Sequence, residues 1–302
     1  MQIEFGMSMT GLDDVAGNAQ RLEALGYDYV GCGEHVSFHG PTSNSFISLS
    51  VAAGATRTIK LISAIVLLPL YPAALAAKLA ATLDVASQGR YHMGIGVGGE
   101  MPREFEACGV PLHERGARAN EALQVIRRLL SEEKVTFEGR FNTLHEVSIE
   151  PQPRQKPLPI WVSGRKGAAM QRAARYGDGW MPYMYTPEML SESITKIRRW
   201  SLEAGRAEDA VQPAIFIFTC CHPDRDLAFE MAITRLSKQY AQDFAKIADK
   251  YVIMGNPADC RQRIQQYVAA GARTIFLSSA CPADYLQANE AILAKEVLPA
   301  FR

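Results

Sequence analysis

Two short stretches hold the side chains best suited to chemistry. In GCGEHVSFHG an acid and an imidazole are neighbours, Glu34 and His35, with Phe38 and His39 close behind. Histidine titrates near neutrality, so such a pair can take up and return a proton; the same His can equally be a packed structural residue. In VSGRKGAAM, the residues Ser163, Gly164, Arg165 and Lys166 stand where an apolar run passes into a helical one. The free N–H groups of a helix start, with two cations beside them, would hold a phosphate; they would also make an ordinary helix start with surface cations. A third stretch, GIGVGGE, sets Gly96, Val97 and Gly98 after another apolar run. It is not a GxGxxG fingerprint, and no helix opens directly after it. Its glycines either let something flat approach the backbone or form a plain loop. Tyr183 and Tyr185 would line a pocket or cover it. His92, His113, His145 and His222 are too dispersed for a metal site, and neither a GxSxG elbow nor an HExxH pair is present.

These residues need elements that bring them together, and the chain repeats one unit. A helix ends at a glycine and a short apolar strand follows. The breaks are at Gly26, Gly89, Gly177 and Gly271, before the strands beginning YVGC, YHMG, WM and TIFL. Glycine at a helix end takes the left-handed conformation cheaply. The continuous apolar runs suit strands buried on both faces of a parallel sheet. Eight strands are expected to start near Ile3, Tyr29, Lys60, Tyr91, Pro159, Gly179, Pro213 and Thr274. Helices are expected between them at Asp13 to Leu25, Ala73 to Ala86, Ala119 to Ser131, Gly167 to Tyr176, Pro187 to Ala204 and Asp259 to Ala270. Eight such units predict a (β/α)8 TIM barrel, with a β-hairpin insertion over about 134–158 and a mostly helical insertion over about 224–256. No linker interrupts the chain, so residues 1–302 read as one domain. In a barrel the site lies at the C-terminal ends of the strands, which is where the stretches above fall. Lys60 begins its strand at the other end, which argues against a Schiff-base enzyme.

Composition narrows the class. The 302 residues are 48% hydrophobic and 21% charged, which excludes a disordered chain. Lys+Arg and Asp+Glu are 32 each, and without a basic run nucleic acid is a poor partner. No apolar run is long enough to span a membrane, and the first residues lack the features of a signal peptide. The six cysteines form no CxxC pair, so free thiols in a reducing cytoplasm are expected.

Taken in order, these pieces resemble the bacterial-luciferase-like, flavin-dependent oxidoreductases. Three stretches carry the likeness. The first runs from Pro72 to Leu123 and includes Thr82-Leu83-Asp84, Ser87, Gly89-Arg90, Glu104-Phe105, Gly109 and Glu114-Arg115. The second is PIWVSGRKGAAMQRAARYGDGWMP, and the third is FEGRFNTL. The resemblance implies a barrel that binds a flavin at its mouth. Members use reduced FMN with oxygen as monooxygenases, or the deazaflavin coenzyme F-420 as a hydride carrier. It also implies roles. Glu34 and His35 match an acid–His pair whose His acts as a base beside the ring. Ala64 and Ile65 align with a non-prolyl cis peptide behind the ring. Gly96, Val97 and Gly98 match the strand end that passes it. Ser163, Gly164 and Arg165 match the phosphate turn, and Lys166 stands beside them. The chain departs from the luciferase branch at Val36, where that branch has a second His, and at Gly96 and Gly98, where it has Cys and Arg. These departures argue against bioluminescence and long-chain aldehyde oxidation.

The expected function is therefore oxygenation of a small organic substrate by reduced FMN and oxygen, supplied by a separate flavin reductase. Phe38, His39, Tyr183 and Tyr185 would shape the substrate pocket, and Glu34 would orient His35 or touch the ring. One alternative is hydride transfer by the deazaflavin, with Arg165 and Lys166 meeting its anionic tail. Another is a flavin-binding subunit without catalysis. The family commonly dimerises through barrel helices, and the small residues of Ala73 to Ala86 suit either close packing between subunits or packing on the chain's own barrel.

Overall fold

The apolar runs become strands and the amphipathic stretches helices, and the whole closes into a ring. The computed structural model describes residues 2–9, 11–240 and 242–302. Its strands are β1 (Glu4–Ser8), β2 (Tyr29–Cys32), β3 (Lys60–Ser63), β4 (Val66–Leu67), β5 (Tyr91–Gly96), β6 (Val135–Glu138), β7 (Thr143–Val147), β8 (Ile160–Val162), β9 (Gly179–Trp180), β10 (Gln212–Cys221), β11 (Val252–Gly255) and β12 (Thr274–Ser279). Its helices are α1 (Val15–Ala24), α2 (Ser45–Ala55), α3 (Ala73–Ala86), α4 (Pro102–Ala107), α5 (Arg115–Leu129), α6 (Gly167–Tyr176), α7 (Pro187–Glu203), α8 (Arg225–Tyr240), α9 (Ala248–Tyr251), α10 (Pro257–Ala269) and α11 (Leu286–Ile292). Eight parallel strands pair in the cycle β1-β2-β3-β5-β8-β9-β10-β12, and β12 returns to β1. This is the (β/α)8 barrel anticipated, with its eight strands at the expected places.

Two features differ from expectation. The stretch 224–256 is not helical to its end. It closes with β11, which pairs in parallel with Phe218–Cys221 at the far end of β10. β9 pairs with β10 only at Gln212 and Pro213, and β11 takes over the same edge once β9 has left it. The apolar run VIMG follows a polar helical stretch without a glycine break, so nothing in the local pattern announces it. The second difference is Gly177. Gly26, Gly89 and Gly271 take positive φ, as a helix-ending glycine should, but Gly177 is extended at φ −91°. Its glycine answers crowding instead: a Cβ there would sit 3.0 Å from the Ala173 carbonyl oxygen. The hairpin over 134–158 forms as β6 and β7, antiparallel.

The barrel interior is layered. At its floor the Glu4 carboxylate accepts bonds from Lys60 Nζ (2.5 Å), Tyr29 Oη (3.2 Å) and Gln212 Nε2 (3.2 Å). His92 and Trp161 complete that layer around Tyr29. Above it, the Phe276 ring fills the centre. A Cβ on Gly6 or Gly31 would lie 2.2 and 2.4 Å from that ring, so both neighbours must be glycine for it to fit. At the C-terminal ends of β2, β3, β5 and β8 the residues are small: Gly33, Ala64, Gly96 and Ser163. The barrel is thus plugged below by the Glu4 layer and the Phe276 ring. No helix among the described residues is long and apolar enough to cross a membrane.

Candidate active site

The C-terminal end of the barrel gathers the loops that follow β2, β3, β5 and β8. Glu34 and His35 leave β2 together but face different partners. Glu34 is buried and accepts four hydrogen bonds: from the N–H of Leu67 (3.0 Å) and of Ser45 (3.0 Å), from Asn44 Nδ2 (3.1 Å) and from Tyr71 Oη (3.1 Å). Burial pushes its carboxyl up, against the pull of these donors. Glu34 therefore ties the start of α2 to β4, just past the Ala64–Ile65 peptide, which is cis. It does not hydrogen-bond His35.

The orienting carboxylate is Glu104, from α4. His35 Nδ1 lies 3.2 and 3.3 Å from its two oxygens, and the Val36 N–H donates to it at 3.1 Å. Glu104 is fully buried, so the imidazole and this N–H are what satisfy it. The His35 ring stacks on Phe38 (4.3 Å between centroids, 17° between planes), and Phe38 touches the exposed His39. A carboxylate bonded to one imidazole nitrogen fixes the ring and leaves Nε2 to exchange a proton with a bound molecule. Glu104 stands in the matched Glu-Phe pair of the sequence. Its partnership with His35, 69 residues away, depends on where α4 lands after β5.

The wall of the mouth is glycine. A Cβ on Gly33 would come 2.7 Å from the Ala64 carbonyl oxygen, and one on Gly96 would come 2.0 Å from Ile65 Cδ1. Val97 and Gly98 follow, Gly98 at φ +59°. These glycines let β2 and β5 pack directly against the Ala64–Ile65 segment, which a side chain at either position would strike. Gly96→Ala is expected to push the flexible end of Ile65 into the mouth. Cofactor affinity should fall about tenfold with under about 2 kcal/mol of lost stability, read by ring fluorescence and thermal unfolding. Unchanged affinity would remove Gly96 from the ring site.

Beyond β8, Ser163 continues the pairing with β5 (its N–H to Ile95 O, 2.8 Å), and Gly164 turns at φ +127°. A Cβ at Gly164 would run to 2.7 Å from Ala169 Cβ, so the turn into α6 is tight. Lys166 is the N-cap of α6 but makes no capping bond, and the first turn holds no acid. The positive end of the helix, Arg165 and Lys166 are thus left without a counter-charge, as a phosphate site requires.

Arg165 lies over the Tyr183 ring at 4.7 Å, and the Tyr183 hydroxyl donates to Glu100. Burial and this carboxylate push the Tyr183 phenol up. These three residues link the loops after β5, β8 and β9 across the mouth. Tyr185 is elsewhere. It is buried against α7, bonded to Ser193 Oγ at 2.8 Å and edge-on to Trp180. None of its recorded contacts reaches the His35–Glu104 pair. Among the described residues no cluster of three or more His, Cys, Asp or Glu is arranged for a metal ion.

Comparison with known proteins places the chain. The model of the luciferase-like monooxygenase family matches residues 3–274. The chain belongs to that family. Family relatives include an uncharacterized protein of Mycobacterium tuberculosis strain H37Rv, 32% identical over 60% of this chain and 62% of its own. The chain thus spans under two thirds of that relative's length. An F420-dependent glucose-6-phosphate dehydrogenase of Kineococcus radiotolerans is 30% identical over 78% of this chain and 76% of its own. Among solved structures, the monooxygenase RslO1 from Streptomyces bottropensis superposes with a TM-score of 0.84, covering 99% of this chain and 100% of that one at 24% identity. That likeness concerns the fold.

Proposed function

We propose that this luciferase-like chain is a redox enzyme that binds a flavin-type ring against the glycine wall, with its phosphate at Ser163, Gly164, Arg165 and Lys166. The observation that carries the reading is the His35–Glu104 pair at the same barrel end as an uncapped, cation-flanked helix start and the Gly33, Ala64–Ile65 and Gly96 wall. The ring, once bound, supplies the electron transfer; the protein positions it and limits water. His35 Nε2 holds or passes the proton, Glu104 fixes the imidazole, and Glu34 clamps the Ala64–Ile65 wall from behind. Phe38, His39 and Tyr183 surround the space left for a small organic substrate.

Two cofactors suit this site. Reduced FMN with oxygen would make the chain a monooxygenase fed by a separate reductase, in keeping with the family description. The deazaflavin would make it a hydride-transfer enzyme, in keeping with the Kineococcus relative. The unneutralised cations at α6 favour the deazaflavin, which carries more negative charge. Anaerobic titration with reduced FMN and, separately, reduced deazaflavin decides between them. Tighter deazaflavin binding and no reaction with oxygen are expected; tight FMN binding with rapid oxygen consumption would establish the monooxygenase instead. Binding of neither would overturn the cofactor site.

We also propose a homodimer in a reducing, cytoplasmic setting. Ala73, Ala76, Ala77, Ala80 and Ala81 are buried in the chain's own core, so the small residues of α3 do not supply the contact. The neighbouring surface does. Ile47 and Val51, one turn apart on α2, and Leu75 on α3 are 68%, 45% and 48% exposed. Water-exposed aliphatics on adjacent helices fit an interface with a second copy. Ile47→Glu should convert a dimer to monomers in sedimentation; a wild-type monomer would refute the interface.

A further inference from the structure

On the inner face of the barrel, solvent stops at one level. The inward-facing residues Gly6, Gly31, Ile62, Trp161, Ala214 and Phe276 are buried. Two positions farther along the same strands, Ser8, Gly33, Ala64, Ser163, Phe216 and Ser278 are each partly exposed. Gly33 and Ala64 belong to the wall proposed above for the ring. Ser8, Phe216 and Ser278 stand on the side that β1, β10 and β12 supply.

These three form one surface. Glu4 and Gly6 face the interior, so the two-residue period of a strand turns Ser8 inward, and Phe276 does the same for Ser278. Ser279 faces the other way, accepting from Asn289 Nδ2 at 3.0 Å. The register pairs Met7 with Leu277, which sets Ser8 beside Ser278 across the ladder. Phe216 stacks on Phe276 (5.7 Å between centroids, 18° between planes), and Phe218, level with Ser278, meets Phe216 edge-on. Among the described residues neither serine hydroxyl has a hydrogen-bond partner in the chain. Ser8, Phe216, Phe218 and Ser278 carry no charge. An aromatic floor with two free hydroxyls at its edge suits an apolar body bearing a neutral oxygen. A carboxylate or phosphate would lose water there and meet no cation.

We infer that the substrate is an uncharged molecule, an apolar ring or short branched chain with a hydroxyl or keto oxygen remote from the atom that reacts. Its apolar face lies on Phe216, and Ser8 and Ser278 hold the remote oxygen. The inference rests on the reading that a flavin-type ring lies against Gly33, Ala64 and Gly96, and it names what that ring acts on.

Three cyclohexanones that differ only at the carbon opposite the ketone test it, one bearing a hydroxyl there, one a methyl and one a carboxylate. Dissociation constants are read by ligand-observed NMR, on the free chain and on the chain loaded with the cofactor that binds. The hydroxy ketone is expected to bind about 3- to 10-fold more tightly than the methyl ketone, the effect of one or two neutral hydrogen bonds. The carboxylate should bind about 10-fold more weakly than the methyl ketone. In the double variant S8A/S278A the hydroxyl preference should vanish while the methyl ketone binds as before. Equal binding of the hydroxy and methyl ketones by the wild type would overturn the inference. So would a preference that survives in the variant, a carboxylate that binds as tightly as the others, or no binding of any of the three. The ring site fails separately: if neither reduced FMN nor the reduced deazaflavin binds, that reading is wrong, and the comparison on the free chain still decides the serines.

Discussion

Replacing His35 with glutamine is expected to lower kcat by about 100- to 10,000-fold, the range over which a positioned proton-transfer group acts. Glutamine keeps a donor for the buried Glu104 carboxylate but cannot take up and release a proton near neutral pH. The fold should therefore survive, with cofactor affinity within a few-fold of wild type. Alanine is a poorer choice. It leaves Glu104 buried with only the Val36 N–H, at a cost of about 1–3 kcal/mol in stability. The partner variant, Glu104→Gln, separates holding the ring from transferring the proton. It should reduce kcat about 10- to 100-fold without moving the dissociation constant of the cofactor. Turnover unchanged in both variants would support a flavin-binding subunit without catalysis.

The second large effect concerns pH and lies at the opposite end of the barrel. His92 is 9% exposed, its Nδ1 has no hydrogen-bond partner, and it sits between Tyr29 and Trp161. Burial, then the nearby Lys60 cation, lowers its pKa from the ordinary 6.5 to about 4. Above pH 6.5 the imidazole is neutral in folded and unfolded chains alike. As pH falls from 6.5 toward 4, the unfolded chain binds a proton that the folded chain refuses, so stability declines. The loss approaches about 3 kcal/mol at pH 4. Glu4, held below the usual carboxylate range despite its burial by its bonds to Lys60, adds its own loss only at lower pH. Urea unfolding at several pH values, with wild type and His92→Phe, reads this directly. The variant should match or exceed wild-type stability at pH 7.5 and lose most of the decline between 6.5 and 4. An unchanged slope would mean that the decline arises elsewhere.

Much of the barrel was legible because its rules are local. A glycine after a helix, then four apolar residues, recurs often enough to be counted, and α3 and α6 lie within the bounds expected of them. The site was partly legible for the same reason: Glu34, His35 and Ser163 to Lys166 follow strands, Gly96 closes one, and the barrel delivers strand ends to one place. What stayed hidden depends on distance in sequence. Glu104 meets His35 only because α4 folds back over the mouth. Tyr183 and Tyr185, two residues apart, part company because one turns to Glu100 and the other is drawn under α7 by Ser193. β11 pairs with the end of β10 that β9 does not reach. In each case the deciding contact is tertiary, and no local pattern encodes it.

The plugged floor has a kinetic meaning. With Glu4, Lys60, Tyr29 and Gln212 tied together below, the cofactor and substrate proposed above would share the other end of the barrel. The Ala64–Ile65 wall meets the chain at Gly33, while His35 stands two residues farther out. Whatever lies on the wall is thus installed before whatever meets the histidine. For the cofactor and substrate proposed above, such an arrangement predicts compulsory order: the ring enters first and leaves last, the substrate comes and goes above it, and an excess of substrate that reaches the empty barrel becomes an inhibitor of its own conversion.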